Sequence, residues 1–382
     1  MLNIPSFLKE SILYESVGSP KVRCSLCERR CIIDEGKVGF CQTRINHKGT
    51  LYCLTYGNIS SISNNPIEKK PFYHFFPGTK ALTIGTWSCN FTCPFCQNWD
   101  ISKIPPSPPN DSNYLSPQQF SDQLKKSESQ GTSFSFNEPT LLLEYAIDVM
   151  KLTKPLNYYQ TYVTNMYMTE EALRLLIQNG CDGFCANIKG DVAFYKEQCH
   201  ADSHMVWRNL KIAKELGAHV EVVTLIIPHK NDTEEVLREI AVRIKEILGE
   251  NTPWHCNQYY PAYKAVDVGM ANYRTPVDTL EMAYKIGRDE GLKFVYIGNV
   301  HGHKFENTYC PTCNTLLIER TIFGVMKNHL KNGNRCPYCG ELIPIITALK
   351  KRDKLTKSWL LFTSSFYPKT HFHIFKKISN LL

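Results

Sequence analysis

From residue 80 to residue 300, short β-branched and aromatic runs alternate with stretches whose apolar positions recur at helical spacing. The runs predict strands at 80–85 (KALTIG), 133–136 (SFSF), 159–164 (YQTYVT), 183–189 (GFCANIK), 219–227 (HVEVVTLII), 254–260 (WHCNQYY) and 294–299 (FVYIGN). A helix is predicted from Ser116-Pro117, a serine N-cap with proline at the first helical position. Others are predicted in LLLEYAIDVMKL, TEEALRLLIQNG, VWRNLKIAKELG, TEEVLREIAVRIKEIL and the segment opened by Thr275-Pro276. Alternation of this kind argues for a parallel sheet covered by helices, and six or seven such units make a partial or complete barrel.

Folds of this class carry their chemistry on the loops after the strands, which a rigid scaffold aims at one point. Cys89, Cys93 and Cys96 follow the first predicted strand, Asn137-Glu138-Pro139 the second and Thr164-Asn165 the third. Lys189 ends the fourth, residues 228–232 follow the fifth, Tyr259-Tyr260-Pro261 end the sixth and Asn299-Val300-His301 follow the seventh. Such repetition on one rim predicts a site there.

Composition refines this picture. With 382 residues, 43% of them hydrophobic, the chain is neither disordered nor of low complexity. Its net charge of +8 is carried almost wholly by residues 350–382, which hold +7 and leave +1 on the rest. A nucleic-acid footprint on the main body is therefore not expected, and the basic tail is expected to be a solvated terminus. The start, MLNIPSFLKESILYES, lacks a basic stretch followed by an apolar core, and no apolar run approaches the ~18–20 residues of a membrane span. A cytoplasmic protein without a membrane span is expected.

Eleven of the 16 cysteines fall into three sets. Cys24, Cys27, Cys31 and Cys41 are spaced C-x2-C-x3-C-x9-C; Cys89, Cys93 and Cys96 are spaced C-x3-C-x2-C; Cys310, Cys313, Cys336 and Cys339 form two C-x2-C pairs. Cys53, Cys181, Cys185, Cys199 and Cys256 stand among apolar neighbours and read as small core residues. Close spacing in a chain expected in a reducing compartment favours metal binding over disulfides. Paired C-x2-C knuckles suit a closed tetrahedral site, so zinc, with iron as runner-up, is expected at Cys310, Cys313, Cys336 and Cys339. The N-terminal four suit either zinc or an auxiliary cluster, with zinc slightly favoured as a staple for a small β-rich fold. The central three can wrap one face of an iron–sulfur cube and leave its fourth iron open to another ligand. Zinc at the triad is the alternative, but its fourth ligand would have to come from a distant residue such as His74.

The triad, with FCQNWDIS through it, DISKIP after it and NPIEKKPFYHFFPGT before it, resembles the radical S-adenosylmethionine (SAM) enzyme of the AmmeMemoRadiSam system. That family is related to the pyruvate formate-lyase activating enzymes. The resemblance spans about residues 22–343, because SFNEPT, VTNMYMT, PWHCNQYYPAYK, YIGNVHG and ENTYCPTC match in order. It implies a [4Fe–4S] cluster on Cys89, Cys93 and Cys96, whose free iron takes the amino and carboxylate groups of SAM. Reductive cleavage would give methionine and a 5′-deoxyadenosyl radical that abstracts hydrogen from a substrate the sequence does not name. It further implies SAM contacts from Phe95 (adenine), Glu138 (methionyl amino group) with Asn137 beside it, Thr164 and Asn165 (ribose), Lys189 (methionyl carboxylate), and Ile227 and Pro228 (adenine). Ser88 and Met166 stand where the family has glycine, Asn187 where it has aspartate, and Gln258 where a basic residue is common.

The implied fold is α/β: a radical SAM partial (β/α) barrel at 80–305, a Cys-rich N-terminal extension at 1–79, a zinc-ribbon or rubredoxin-like module at 306–345, and a basic tail at 346–382. The implied partners are a one-electron donor such as flavodoxin or ferredoxin, and Memo-type and AMMECR-type proteins. Kinship to the activases leaves glycyl-radical activation as an alternative. The eight flanking cysteines with the basic tail leave a zinc-dependent nucleic-acid-binding or scaffold protein as another.

Overall fold

The structure is a computed structural model in which residues 8–107, 114–321, 323–331 and 333–349 are described. Six short strands come first: β1 (Lys9–Glu10), β2 (Tyr14–Ser16), β3 (Val22–Cys24), β4 (Ile32–Ile33), β5 (Arg44–His47) and β6 (Thr50–Cys53). They make two three-stranded antiparallel sheets, β1-β6-β5 and β2-β3-β4. The main body follows as β7 (Ser61–Pro66), β8 (Lys80–Gly85), α1 (Trp99–Ser102), α2 (Pro117–Lys126), β9 (Gly131–Phe134), α3 (Leu143–Thr153), β10 (Tyr159–Thr164) and α4 (Glu170–Gln178). It continues as β11 (Gly183–Asn187), α5 (Val192–Phe194), α6 (Ser203–Glu215), β12 (His219–Ile226), α7 (Glu234–Leu248), β13 (Trp254–Gln258), α8 (Val277–Asp289) and β14 (Val295–Gly298).

Strands β7 to β14 form one eight-stranded sheet in sequential order; β8 to β14 are parallel and β7 runs antiparallel to β8. Because β7 and β14 are its edges, the sheet is an open, partial barrel. The seven parallel strands are those the apolar pattern predicts. The added β7, SISNNP, carries no run of branched apolar residues; its asparagines and terminal proline suit an edge strand. The ladder of β9 stops at Phe134, two residues short of the predicted end, because Phe136 takes a left-handed φ of 72° and turns the chain into the rim loop. It starts earlier, at Gly131, where the Tyr159 ring lies 2.1 Å from the position a Cβ would occupy.

Helix starts follow their local chemistry. Ser116 caps α2 in a full capping box with Gln119, Pro117 fills the first position, and Thr169 and Thr233 cap α4 and α7. The helix α4 ends at Asn179-Gly180, with Gly180 at φ 115°. Among the described residues, no helix is long and apolar enough to cross a membrane.

The C-terminal module is a three-stranded antiparallel sheet of β15 (Thr308–Tyr309), β16 (Leu316–Thr321) and β17 (Gly324–Asn328). It shares an apolar cluster with the barrel through Tyr73, Phe294 and Tyr296. Arg320 of β16 lies 4.2 Å from the Tyr73 ring centroid and donates to the Tyr73 carbonyl at 3.1 Å. Beyond the module, Ile346 pairs in parallel with Phe75. The basic stretch from Lys350 onward lies outside the described residues.

Candidate functional site

After β8 the chain passes Thr86, Trp87 and Ser88 into the Cys89–Cys96 loop. Ser88 adopts φ 67°, and its amide donates to the Ile101 carbonyl at 2.8 Å. Asn137, on the loop after β9, clamps this turn from both sides: Oδ1 accepts from the Thr86 amide at 3.0 Å and Nδ2 donates to the Ser88 carbonyl at 2.8 Å. The Lys103 ammonium donates to the Phe91 carbonyl at 2.8 Å, and the Phe91 amide to Cys89 Sγ at 3.4 Å. Burial pushes the Cys89 thiol up to about 12, with Lys103 opposing it. Cys93 lies 3.6 Å, sulfur to sulfur, from Cys199; that contact, with Lys189 and Lys103 nearby, holds the Cys93 thiol down against its burial. The nearby cations favour the thiolates that a metal requires.

Glu138 is buried and joins two rim loops. Its Oε1 accepts from the hydroxyls of Thr140 (2.6 Å) and Thr164 (2.7 Å) and from the Thr140 amide (3.0 Å), while Oε2 accepts from the Asn165 amide (2.8 Å). Burial pushes its carboxyl up and these bonds oppose the shift. Oε2, with one partner here, has a lone pair left for an ammonium. Asn165 Nδ2 donates to Asn90 Oδ1 at 2.7 Å, tying the loop after β10 to the cysteine loop. Lys189 has its ammonium 5.7 Å from the Phe95 ring centroid. Burial works against its charge, but the thiolates of Cys93, Cys199, Cys96 and Cys89 outweigh it and hold its pKa above the ordinary lysine range.

One cavity of about 510 Å³ joins these groups: Cys89, Cys93, Cys96, Phe95, Asn137, Glu138, Thr164, Asn165 and Lys189 all line it. Of the residues expected at the cofactor, Ile227 and Pro228 do not line it; Leu225, within β12, does. Ile227 is buried and its amide donates to Asn231 Oδ1. Asn231 Nδ2 in turn donates to the carbonyls of Leu225 and Lys189, so this side chain positions the strand end that carries the lysine. Gln258 is also outside the cavity, its amide spent on the Thr275 carbonyl at 2.8 Å. Phe95 is both a lining residue and a packed one, 5.6 Å from Phe194.

Several lining or supporting groups lacked a sequence signal. All five scattered cysteines are buried, yet Cys199 touches the triad through Cys93. It lies at the end of a widened helical turn, 195–199, whose Tyr195 hydroxyl donates to the Asn187 carbonyl and accepts from the Lys189 amide. The same cavity is also lined by Glu68, Lys70, Tyr73, His255 and Glu306. Lys70 is 4% exposed with its ammonium 4.5 Å from the Phe136 ring centroid; burial, with Lys69 beside it, pulls it down to about 7. Burial pushes Glu306 up to about 7. His255 Nε2 pairs with buried Glu221 at 2.8 Å, which also accepts the Tyr73 and His74 amides. The lysine lies in the polar run IEKKP, which alone reads as solvent-facing.

The flanking cysteine sets differ in geometry. The sulfurs of Cys310, Cys313, Cys336 and Cys339 all lie within 4.8 Å of one another, as one tetrahedral metal ion requires. Cys24, Cys27, Cys31 and Cys41 line one hollow without reaching that compactness. All 16 thiols are free.

A family model described as the Radical SAM superfamily matches residues 84–244. An uncharacterized protein of Methanocaldococcus jannaschii is 40% identical over 342 residues, 89% of this chain and 100% of the relative. A second uncharacterized protein of that organism is 25% identical over 286 residues, 72% of this chain and 76% of its own. Among solved structures, a domain of pyruvate-formate lyase-activating enzyme from Bacteroides vulgatus has a TM-score of 0.39 at 17% identity, covering 45% of this chain and 100% of that one. The cysteine loop lies inside the matched span and lines a cavity with strand-end polar groups, and on these grounds the chain carries a radical SAM superfamily domain over residues 84–244.

Proposed function

We propose that this chain cleaves SAM reductively at the rim cavity and directs the resulting radical at a substrate held in the same cavity. The observation that carries this reading is the convergence of three thiols, the Glu138 carboxylate and the Lys189 ammonium on one buried space. Cys89, Cys93 and Cys96 would hold a [4Fe–4S] cluster, since they face that space together and leave room beside them for a further ligand. Bound there, cluster and SAM supply one-electron cleavage of the sulfonium to methionine and a 5′-deoxyadenosyl radical.

The protein's own groups position and shield. Glu138 Oε2 accepts an ammonium and Lys189 pairs with a carboxylate, so the two fix an amino-acid moiety end to end. Thr164 and Asn165 line the wall assigned to the ribose, their side chains held by Glu138, Asn90 and the Tyr167 amide, and Phe95 offers an apolar wall for adenine. The buried setting keeps water from a reactive intermediate. The motif order over residues 22–343 favours the AmmeMemoRadiSam-system enzymes within the superfamily, with Memo-type and AMMECR-type partners. We assign the electron donor to the flavodoxin or ferredoxin class, and zinc to Cys310, Cys313, Cys336 and Cys339.

Protein reconstituted with iron and sulfide under anaerobic conditions and reduced with dithionite should release 5′-deoxyadenosine and methionine from SAM. Cys89→Ala should lose both the product and the iron bound at the triad. A fully loaded wild type that releases no 5′-deoxyadenosine overturns the proposal.

A further inference from the structure

Four lysines line the rim cavity: Lys69, Lys70, Lys103 and Lys189. Two of them are engaged. Lys189 is held by the charge of the thiolates around it, and Lys103 donates to the Phe91 carbonyl at 2.8 Å. Lys69 and Lys70 differ. Among the described residues, neither ammonium makes a hydrogen bond or an ion pair. Each faces a ring instead, Lys69 at 5.7 Å from the Phe323 centroid and Lys70 at 4.5 Å from that of Phe136. Their backbone is fixed by a short turn at Ile67–Lys69, which the Lys70 amide closes by donating to the carbonyl of the buried Ile67 at 2.9 Å.

The carboxylates of the same wall do not neutralise this pair. Glu138 is committed to Thr140, Thr164 and Asn165. Glu68 accepts the Gly78 amide through Oε1 at 2.7 Å, and the cation acting on both Glu68 and Glu306 is Arg320. The charge felt by Lys70 is that of Lys69, with no carboxylate beside it. Two like charges thus adjoin on the wall of a cavity, and Lys70 is only 4% exposed. Buried charges are kept where something pairs with them, and a ring face does not replace an ammonium's lost hydration. An oxyanion from outside the chain would do so, since an ammonium binds phosphate and carboxylate oxygens through charge-assisted hydrogen bonds. The place is also apt. Phe136 directly precedes Asn137 and Glu138, and its carbonyl accepts from Asn98 Nδ2, two residues past Cys96, at 2.6 Å. Lys70 therefore lies beside the loop that carries Glu138, whereas Lys189 lies among the thiolates.

We propose that Lys70, with Lys69 adding to the local positive charge, binds a phosphate or carboxylate group of the substrate, in a subsite separate from the one Lys189 provides. This rests on the proposed function for the other occupant of the cavity, and it makes the substrate an anionic molecule. The test reads Lys70 directly. Cluster-loaded, unreduced protein is reductively methylated with formaldehyde, with and without SAM, and methylation at each lysine is followed by peptide mass spectrometry. Inorganic phosphate and acetate are the probes, and sodium chloride at equal ionic strength is the control. The better-fitting probe should slow methylation of Lys70 about tenfold once its free concentration is about ten times its dissociation constant. The exposed Lys285 on α8 should react at an unchanged rate. Protection at lower concentration by phosphate assigns a phosphate group, and by acetate a carboxylate. SAM alone should leave Lys70 reactive. Protection by SAM, equal protection by chloride, protection by neither probe, or a Lys70 that the reagent never reaches would each overturn the proposal. Protection of Lys70 in a loaded protein that releases no 5′-deoxyadenosine on reduction would remove the proposed function and leave an oxyanion site. SAM cleavage without protection would do the reverse.

Discussion

At Ser88 and Met166 the backbone keeps the left-handed form that family glycines would take, with φ 67° and 57°. Each residue bears the steric cost of a Cβ there, on the order of 1 kcal/mol. What differs is the side chain. Ser88 donates no side-chain hydrogen bond that fixes the turn, since Asn137 clamps it through the backbone on either side. The Met166 side chain is fully buried. Ser88→Gly should therefore change stability by no more than about 1 kcal/mol, the relief of strain offsetting glycine's added chain entropy. Met166→Gly should destabilise by about 3 kcal/mol, because loss of a buried side chain outweighs the same relief. Urea unfolding of both variants checks this; equal effects would mean that backbone strain, not packing, governs both positions. The C-x3-C-x2-C set is legible because its spacing is local, and so are the placements of Glu138, just after a predicted strand, and Lys189, at the end of another. Cys199 was not, because only the widened turn after β11 brings it to Cys93.

Among elements, those with strong periodicity were legible within a few residues. The parallel strands β8 to β14 and the long helices all follow from apolar spacing and caps. The β-rich character of the N-terminal extension was legible, but its individual strands and β7 were not, being two to six residues long and stabilised by neighbours rather than by an apolar face of their own. Their docking depends on a few strong contacts. Arg44 of β5 and Glu144 of α3 form an ion pair at 2.7 Å with both side chains 1% exposed. Glu144 also accepts the Ile12 amide, and Arg44 donates to the Leu141 carbonyl. Removing one charge strands the other in a low-dielectric setting. Glu144→Gln should cost about 3–5 kcal/mol in chemical denaturation, while Arg44→Met with Glu144→Leu should recover much of that loss. If the double variant proves no better than the single one, the pair is not the fastening it looks to be.

Across the whole molecule, the cavity is lined both by strand-end loops and by the C-terminal module, through Glu306 and Phe323. Its lining joins chain-distant residues: Lys70 before β8, His255 in β13 and Glu306 before β15. No local pattern announces such a grouping, which is why these lining residues escaped the sequence while those at the strand ends did not. Lys70 exposes the cost. No acidic group contributes to its shift, and burial brings its pKa to about 7, against roughly 10.4 for a free lysine. Between these values the unfolded chain binds the proton that the folded chain has lost, so stability rises with pH through this window. Below about pH 7 both states are protonated and the full penalty, on the order of 4 kcal/mol, remains. Lys70→Met should therefore stabilise the fold most at about pH 6, by a few kcal/mol, and the gain should shrink to almost nothing as pH nears 10. Denaturation of the two proteins across that range reads the difference directly. A gain that is flat with pH would place the Lys70 ammonium in water.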